Sequence, residues 1–363
     1  MSLSEPRTET GTDWEVRPLR EEDLEQALQL WRDVFQKPRS MEHWLWRFRG
    51  TPYTDKVYAT VAVTPEGRVV GHYTAMPVKI NHHGRPFPGC QGMDAIVHPD
   101  YRGQNIFIQT ERLCYERMAA DGIKLTYGVP HYNSYPGFTR YMKWLHIVHL
   151  REFWSRIDWR ESIERRIPIP PLARALNRAI AAWKRFRLDR FPKGWVKGLH
   201  VDPELHWSDT APDAYDTLWA RNRSYEVLSI WKDTEYFRWR YDRHPDLTFR
   251  YAFLKKGERI VAFTVVRIDE HDNVLLYEFM VDRRHIGLGR YFVNRLRHHF
   301  TGKGYGKLRF IGHDSGFFEF AFEGWDTVLF FPLAFCAKVF DAPEINERLQ
   351  IPSNWKVTLG DLD

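Results

Sequence analysis

The segment Ile96-Val97-His98-Pro99-Asp100-Tyr101-Arg102-Gly103-Gln104-Asn105-Ile106-Phe107 carries three signals in succession. An apolar strand pattern ends at a proline turn, an Arg-Gly loop follows, and a helical pattern opens at Ile106. Thr110, Leu113, Cys114 and Met118 continue one side of that helix, expected to run to Ala119. A strand feeding a helix through such a loop presents the helix's first amides and the positive end of its dipole, which suits a pyrophosphate. Small loop residues let a ligand come close to the backbone.

Working outward, Val16–Arg20 reads as a short strand before a helix that opens at Glu21 and places Leu24, Ala27, Leu28 and Trp31 together. Lys56–Val63 and Arg68–Ile80 form a strand pair joined at Pro65-Glu66-Gly67. Met93–Val97 and Leu125–Val129 are further strands, and a helix is expected near Asn133–Met142. Gly84–Gly92 reads as a Gly/Pro-rich excursion.

The second half repeats this order. Trp46-Arg47-Phe48-x-x-x-Pro52 recurs as Trp239-Arg240-Tyr241-x-x-x-Pro245. Gly67-Arg68 before Val69-Val70 has its counterpart in Arg259 before Ile260-Val261. Arg102 and Arg284 each open a loop–helix, and Trp144 pairs with Trp325. Four signposts in one order imply a tandem duplication. The division expected is a tail over 1–13, a domain over 14–150, a linker over 151–210, a domain over 211–345 and a tail over 346–363.

In the linker, Ile167-Pro-Ile-Pro-Pro171 precedes a basic helix, Ala173–Arg190, with Leu172, Leu176, Ile180 and Trp183 on one face. Such a helix suits peripheral contact with an anionic surface or an acidic partner. A solvated helix packed on the seam between the halves explains it as well and is the preferred reading.

A chain of 363 residues exceeds the usual size of one core. Its 53 basic and 47 acidic residues leave +6, too dilute to imply a nucleic-acid partner without a patch. Cys90, Cys114 and Cys336 are too few and scattered for a disulfide scaffold, and His82-His83 and His298-His299 lack metal-site spacing, so no metal is expected. No apolar run is long enough to span a bilayer, and residues 1–13 lack a signal-peptide core. A cytoplasmic location is the expectation.

The Arg102–Phe107 loop resembles the acetyl-coenzyme-A signature of the GNAT N-acetyltransferase superfamily, Arg/Gln-x-x-Gly-x-Gly/Ala. Val-x-Pro-x-Tyr-Arg-Gly before it is similar to that superfamily's lead-in. Gly128-Val-Pro-His-Tyr-Asn-Ser-Tyr-Pro-Gly-Phe138, ending at Lys143-Trp144, resembles its downstream segment. Arg284-His-Ile-Gly287-Leu-Gly289 satisfies the loop pattern outright. The likeness is closest to bacterial tandem two-domain members. It implies an α/β fold of the α+β type: two tandem GNAT-like domains, each a mixed, mostly antiparallel sheet flanked by helices. It also implies an N-acetyltransferase that takes acetyl-CoA as cosubstrate and a small amine, amino sugars among them, as acceptor. Asn105 and Phe107 stand where the signature has glycines, and Thr139 stands at the family's tyrosine position. These departures keep open a non-catalytic binding or scaffold protein, and a tandem tRNA-dependent aminoacyltransferase is the third alternative.

The resemblance places coenzyme contacts at Ile96, Val97, Arg102, Gly103, Gln104, Asn105, Ile106, Phe107 and Asn133, with Arg284, Gly287 and Gly289 as an alternative loop. Asp94 is the candidate base. Tyr135 and Tyr141 are candidate acids, since Thr139 has no useful acidity. A backbone amide within Ala95–Val97 would polarise the thioester. His72 and His131 are candidates to line the acceptor groove. The first half is expected to hold the coenzyme, because the second lacks the proline turn and follows its loop with the aromatic run Phe317–Phe322.

Overall fold

The computed structural model describes residues 13–190, 196, 198–201, 204–340 and 342–362. Six strands come first: β1 (Glu15–Pro18), β2 (Tyr58–Val63), β3 (Val69–His82), β4 (Arg85–Val97), β5 (Leu125–Gly128) and β6 (Leu145–Arg156). β7 (His206–Ser208), β8 (Leu228–Ile230), β9 (Arg250–Lys256), β10 (Arg259–Ile268), β11 (Val274–Val281), β12 (Lys307–Asp314), β13 (Asp326–Val339) and β14 (Lys356–Thr358) follow. Helices α1 (Leu24–Phe35) and α2 (Met41–Phe48) precede β2, and α3 (Ile106–Ala120) links β4 to β5. Next come α4 (Arg160–Glu164), α5 (Pro170–Arg190), α6 (Tyr215–Asn222) and α7 (Thr234–Phe237). α8 (Gly287–Phe300) links β11 to β12, and α9 (Phe317–Ala321) and α10 (Pro343–Leu349) flank β13.

The fold is the expected mixed, mostly antiparallel α/β arrangement, with one difference. Instead of two separate sheets, the strands form one sheet in the order β1-β2-β3-β4-β5-β13-β6-β12-β11-β10-β9-β7, with β8 on β3 and β14 on β12. One strand of each half crosses to the other: β13 lies between β5 and β6, and β6 pairs with β12 from Lys307 to Gly312. The exchange gives the edges of β5 and β12 antiparallel partners, so neither is left open. Spacing along the chain carries no information about which of two equivalent edges a strand will join.

The repeated Trp-Arg motif sits where the halves meet. Trp46 Nε1 donates to the Trp239 carbonyl at 2.8 Å, and Trp239 Nε1 donates to the Trp46 carbonyl at 3.1 Å. Both indoles are buried in a shared core with Trp44, Phe48, Trp219 and Phe237. Each buries a large apolar surface while its one donor is satisfied.

Three expectations need correction. Gly84–Gly92 is no loose excursion, because all but Gly84 belong to β4 and pair with β3. Residues 346–363 are no tail: Trp355, Val357 and Thr358 are buried, and β14 pairs with β12. The basic helix turns small residues inward, Ala173, Asn177 and Ala181, and leaves Leu172, Leu176 and Trp183 exposed. No helix among the described residues is long and apolar enough to cross a membrane.

Candidate functional site

β4 and β5 run parallel only where Gly89–Gln91 face Leu125–Tyr127. β5 then stops at Gly128 while β4 continues to Val97, which opens a wedge. Glycines flank the opening because there is no room for more: a Cβ on Gly92 would lie 2.5 Å from the Tyr73 hydroxyl, and one on Gly128 3.0 Å from the Gly92 carbonyl. At the same place β4 bulges. His72 pairs with Ile96 and Thr74 with Met93, so Asp94 and Ala95 together oppose Tyr73, and Asp94 takes φ 47°. A bulge of this kind frees a residue from the ladder and re-aims its side chain.

Two cavities meet at the bulge. A cavity of about 200 Å³ inside the wedge is bordered by Ala95, Gly128, His131, Ser134, Phe138 and Trp144. A larger cleft of about 730 Å³ is bordered by Arg39, His43, Arg47, Gln91 and, from the second half, Asp246 and Leu362. Both contain Trp31, Gly92, Met93, Asp94 and Val129. Asp94 is held by an ion pair with Arg39, whose guanidinium stacks 3.3 Å above the Trp31 ring centroid. His43 follows the Ser40 cap of α2 and pairs through Nδ1 with Asp246. Burial, then the nearby Arg47, moves the His43 pKa below its ordinary value despite Asp246, so the ring is neutral near pH 7.

The loop before α3 completes the site. Asn105 occupies the left-handed region at φ 63° and Gly103 at φ 83°, which explains why asparagine tolerates the first departure from the signature. The Gln109 amide bonds the Asn105 carbonyl, so the amides just before Gln109 are those a helix start leaves without intrahelical acceptors. Arg102 and Gly103 are exposed, and Gln104 accepts from Trp14 Nε1 at 2.9 Å. Ile106 is buried under the sheet. Phe107 packs edge-on against Phe138 at 5.3 Å and over Gly137, where a Cβ would lie 2.7 Å from the ring. Its bulk is accommodated by a glycine thirty residues later.

The other expected residues are dispersed. Tyr141 is 65% exposed and borders neither cavity. The Tyr135 hydroxyl engages His146 Nδ1 at 3.1 Å, and Tyr135 also borders neither. Asn133 lies in an exposed turn; the helix expected there is a single π-helical turn, Gly137–Tyr141. Thr139 Oγ1 donates to the Tyr135 carbonyl at 2.9 Å. His131 borders the wedge, whereas His72 is buried in β3, where burial pushes its pKa down to about 4. Arg39, His43 and Asp246 were not singled out from sequence. The first two lie just before the repeated Trp-Arg motif, which was the available signal, and Asp246 comes from 203 residues beyond His43.

The matching region of the second half is filled. Phe279 of β11 meets Phe322 at 5.0 Å and Phe317 at 6.3 Å, and Phe318 is fully buried. Arg284 is spent on Asp282, at 2.9 and 2.6 Å. Gly287 begins α8, and a Cβ on Gly289 would press on Ala321 and Phe317 at 3.1 Å. Here Gly289 serves packing. Beside them Lys232 contacts Glu278, Asp361 and Thr358 at 2.6–2.7 Å, tying the C-terminal segment down. Burial would lower the Lys232 pKa, but Asp361 and Glu278 more than reverse this.

The mostly antiparallel sheet thus opens into a parallel wedge beside an amide-rich helix start. Residues 15–146 match the family model of the GNAT acetyltransferase domain, so this part of the chain is similar to that superfamily. The chain's fold is shared with a probable N-acyltransferase of unknown function from Enterococcus faecalis V583, at 12% identity and TM-score 0.61 over 90% of this chain and 72% of that one. It is shared too with GCN5-related N-acetyltransferases from Kribbella flavida (14%, 0.61, covering 91% and 73%) and Anabaena variabilis (9%, 0.60, covering 90% and 72%). No curated protein matches in sequence.

Proposed function

We propose that the chain is an acyl-CoA-dependent N-acyltransferase whose chemistry takes place in the first half, with acetyl-CoA as donor and a small amine as acceptor. The observation that carries this reading is that Asp94 belongs to both the wedge and the larger cleft. A donor carbonyl at the wedge mouth and an amine in the cleft would meet at that carboxylate. The chain divides accordingly into a reacting half and a second half that supplies Asp246 and Leu362 to the acceptor wall.

Acetyl-CoA would supply an activated thioester. Arg102 and the amides of Gly103–Phe107 would hold its pyrophosphate. The backbone at the Asp94–Ala95 bulge would donate to the carbonyl oxygen as negative charge develops there. Asp94 would receive the ammonium proton once the incoming amine displaces Arg39. The freed Arg39 would then remain over Trp31 to hold an anionic or hydroxyl group of the acceptor. A cytoplasmic setting agrees with three buried free thiols.

Coenzyme binding by calorimetry and coenzyme release with a panel of amines test the reading together. Arg102→Glu is expected to abolish acetyl-CoA binding while Arg284→Ala preserves it. Asp94→Asn should keep binding but lower kcat by roughly 10²–10⁴. Preserved binding in Arg102→Glu, or full turnover in Asp94→Asn, would refute the assignment.

A further inference from the structure

α5 is built the wrong way round for a helix that only links two halves. Its inward face is Ala173, Asn177 and Ala181, with the Asn177 side-chain oxygen accepting from the Trp159 amide at 3.0 Å and its amide group donating to Asp158 at 3.1 Å. The bulky apolar residues lie outside. Leu172, Leu176 and Trp183 follow helical spacing on one face, joined by Phe186 and by Ile169 just before the helix, and these five are 38–55% exposed. A linker helix docked for stability would bury that stripe and expose the alanines, because apolar area removed from water is what drives docking. Scattered exposed apolar residues need no explanation, but an aligned stripe does.

Charge identifies what the stripe faces. α5 carries Arg174, Arg178, Lys184, Arg185, Arg187 and Arg190 against a single acid, Asp189, which is engaged by Arg295 at 3.2 Å. Two cations at its C-terminal end lie along the stripe: Arg187 sits 5.0 Å from the Trp183 ring centroid and Arg190 4.3 Å from that of Phe186, while Lys184 turns inward, 5.6 Å from the Trp159 ring. A cavity of about 200 Å³ between α5 and α8 is bordered by Lys184, Arg187, Arg290 and Arg297, with Glu323 paired to Arg290. A second copy of the chain would bring the same cations against these and be repelled. Leucine and aromatic side chains level with flanking arginines suit the boundary between acyl chains and anionic headgroups.

We propose that α5 is a peripheral membrane-binding helix that lies on an anionic lipid surface, with Leu172, Leu176, Trp183 and Phe186 in the headgroup–acyl boundary and Arg187 and Arg190 on lipid phosphates. The reacting cleft uses no residue of α5, so this proposal and the acyltransferase reading stand or fall separately.

The test is co-sedimentation of the full chain with vesicles of phosphatidylglycerol and phosphatidylcholine, and with pure phosphatidylcholine. Binding to the anionic vesicles alone, weakened by salt, is expected. Each of Arg187→Gln and Arg190→Gln should weaken it about fivefold, and Trp183→Ser combined with Leu176→Ser should remove it. All four positions are on the surface, and an unchanged circular dichroism spectrum and melting temperature checks that the variants fold. The three native cysteines are buried, so a polarity-sensitive dye on Leu176→Cys reports insertion directly, as a blue shift with anionic vesicles. Equal binding to neutral vesicles, no binding to either, no shift from the dye, or a dimer that the serine variants dissolve would overturn the proposal.

Discussion

Replacing His72 by Leu should make the protein less sensitive to acid, by an amount that follows from burial. The ring lies in β3, 3% exposed, and its Nε2 has no hydrogen-bond partner. Burial drives the pKa down to about 4, with Asp94 opposing and Arg39 reinforcing the shift, against about 6.5 for a histidine in the unfolded chain. Below pH 6.5 the unfolded chain takes up a proton that the native state refuses until near pH 4. Stability is therefore complete above the unfolded pKa and falls as pH drops between the two values. At about pH 5 the integrated difference is roughly 1.5 pH units, on the order of 2 kcal/mol. Urea unfolding followed by tryptophan fluorescence near pH 7 and pH 5 measures it for both proteins. Carboxylate titration common to the two cancels in the comparison. The Leu variant should lose about 2 kcal/mol less than the parent on acidification. If the losses agree within about 0.5 kcal/mol, the ring is hydrated and lines the acceptor groove after all.

Lys232→Met should destabilise the fold by about 3–5 kcal/mol, because Glu278 and Asp361 would remain buried without their cation; the urea midpoint reads this, and a change below about 1 kcal/mol would contradict it. Gly137→Ala should cost about 1–3 kcal/mol by overpacking Phe107, and Phe107→Ala should remove most of that penalty in a double-mutant cycle; additive costs would mean the two do not touch. Burial holds the Glu111 carboxyl pKa well above its usual range. Glu111→Gln should therefore be tolerated near neutral pH and become the more stable form as the solution turns alkaline, seen as a crossing of melting temperatures. Thr139→Ala should change kcat less than tenfold, about 1.4 kcal/mol, since its hydroxyl serves the local backbone.

Local signals were legible where a segment answers mainly to itself. The period of α1 and α3, the proline turn at Pro99 and the hairpin at Gly67 follow from residues within a few positions of one another, and each appears in the structure. The repeat was legible too, because the Trp46 and Trp239 motifs make the same contact with each other from opposite sides. Read literally, the loop pattern favours the second half, where the structure gives the loop glycine a packing role. Gly287 and Gly289 match the signature better than Asn105 and Phe107, yet Gly289 gives way to Phe317 and Ala321, while Phe107 is absorbed at Gly137.

The sequence by itself therefore determined the strongly periodic elements and pointed to the repeat and the family likeness, because these rest on periodicity and short-range spacing. Only the tertiary structure decided that β6 and β13 change places, since two equivalent strand edges compete for either strand. It also decided that Arg39 and Asp246, far apart along the chain, enclose the same cleft around Asp94. The orientation of α5 belongs with these: its periodicity shows two faces, but which one is buried depends on whether the neighbouring surface fits alanine or tryptophan.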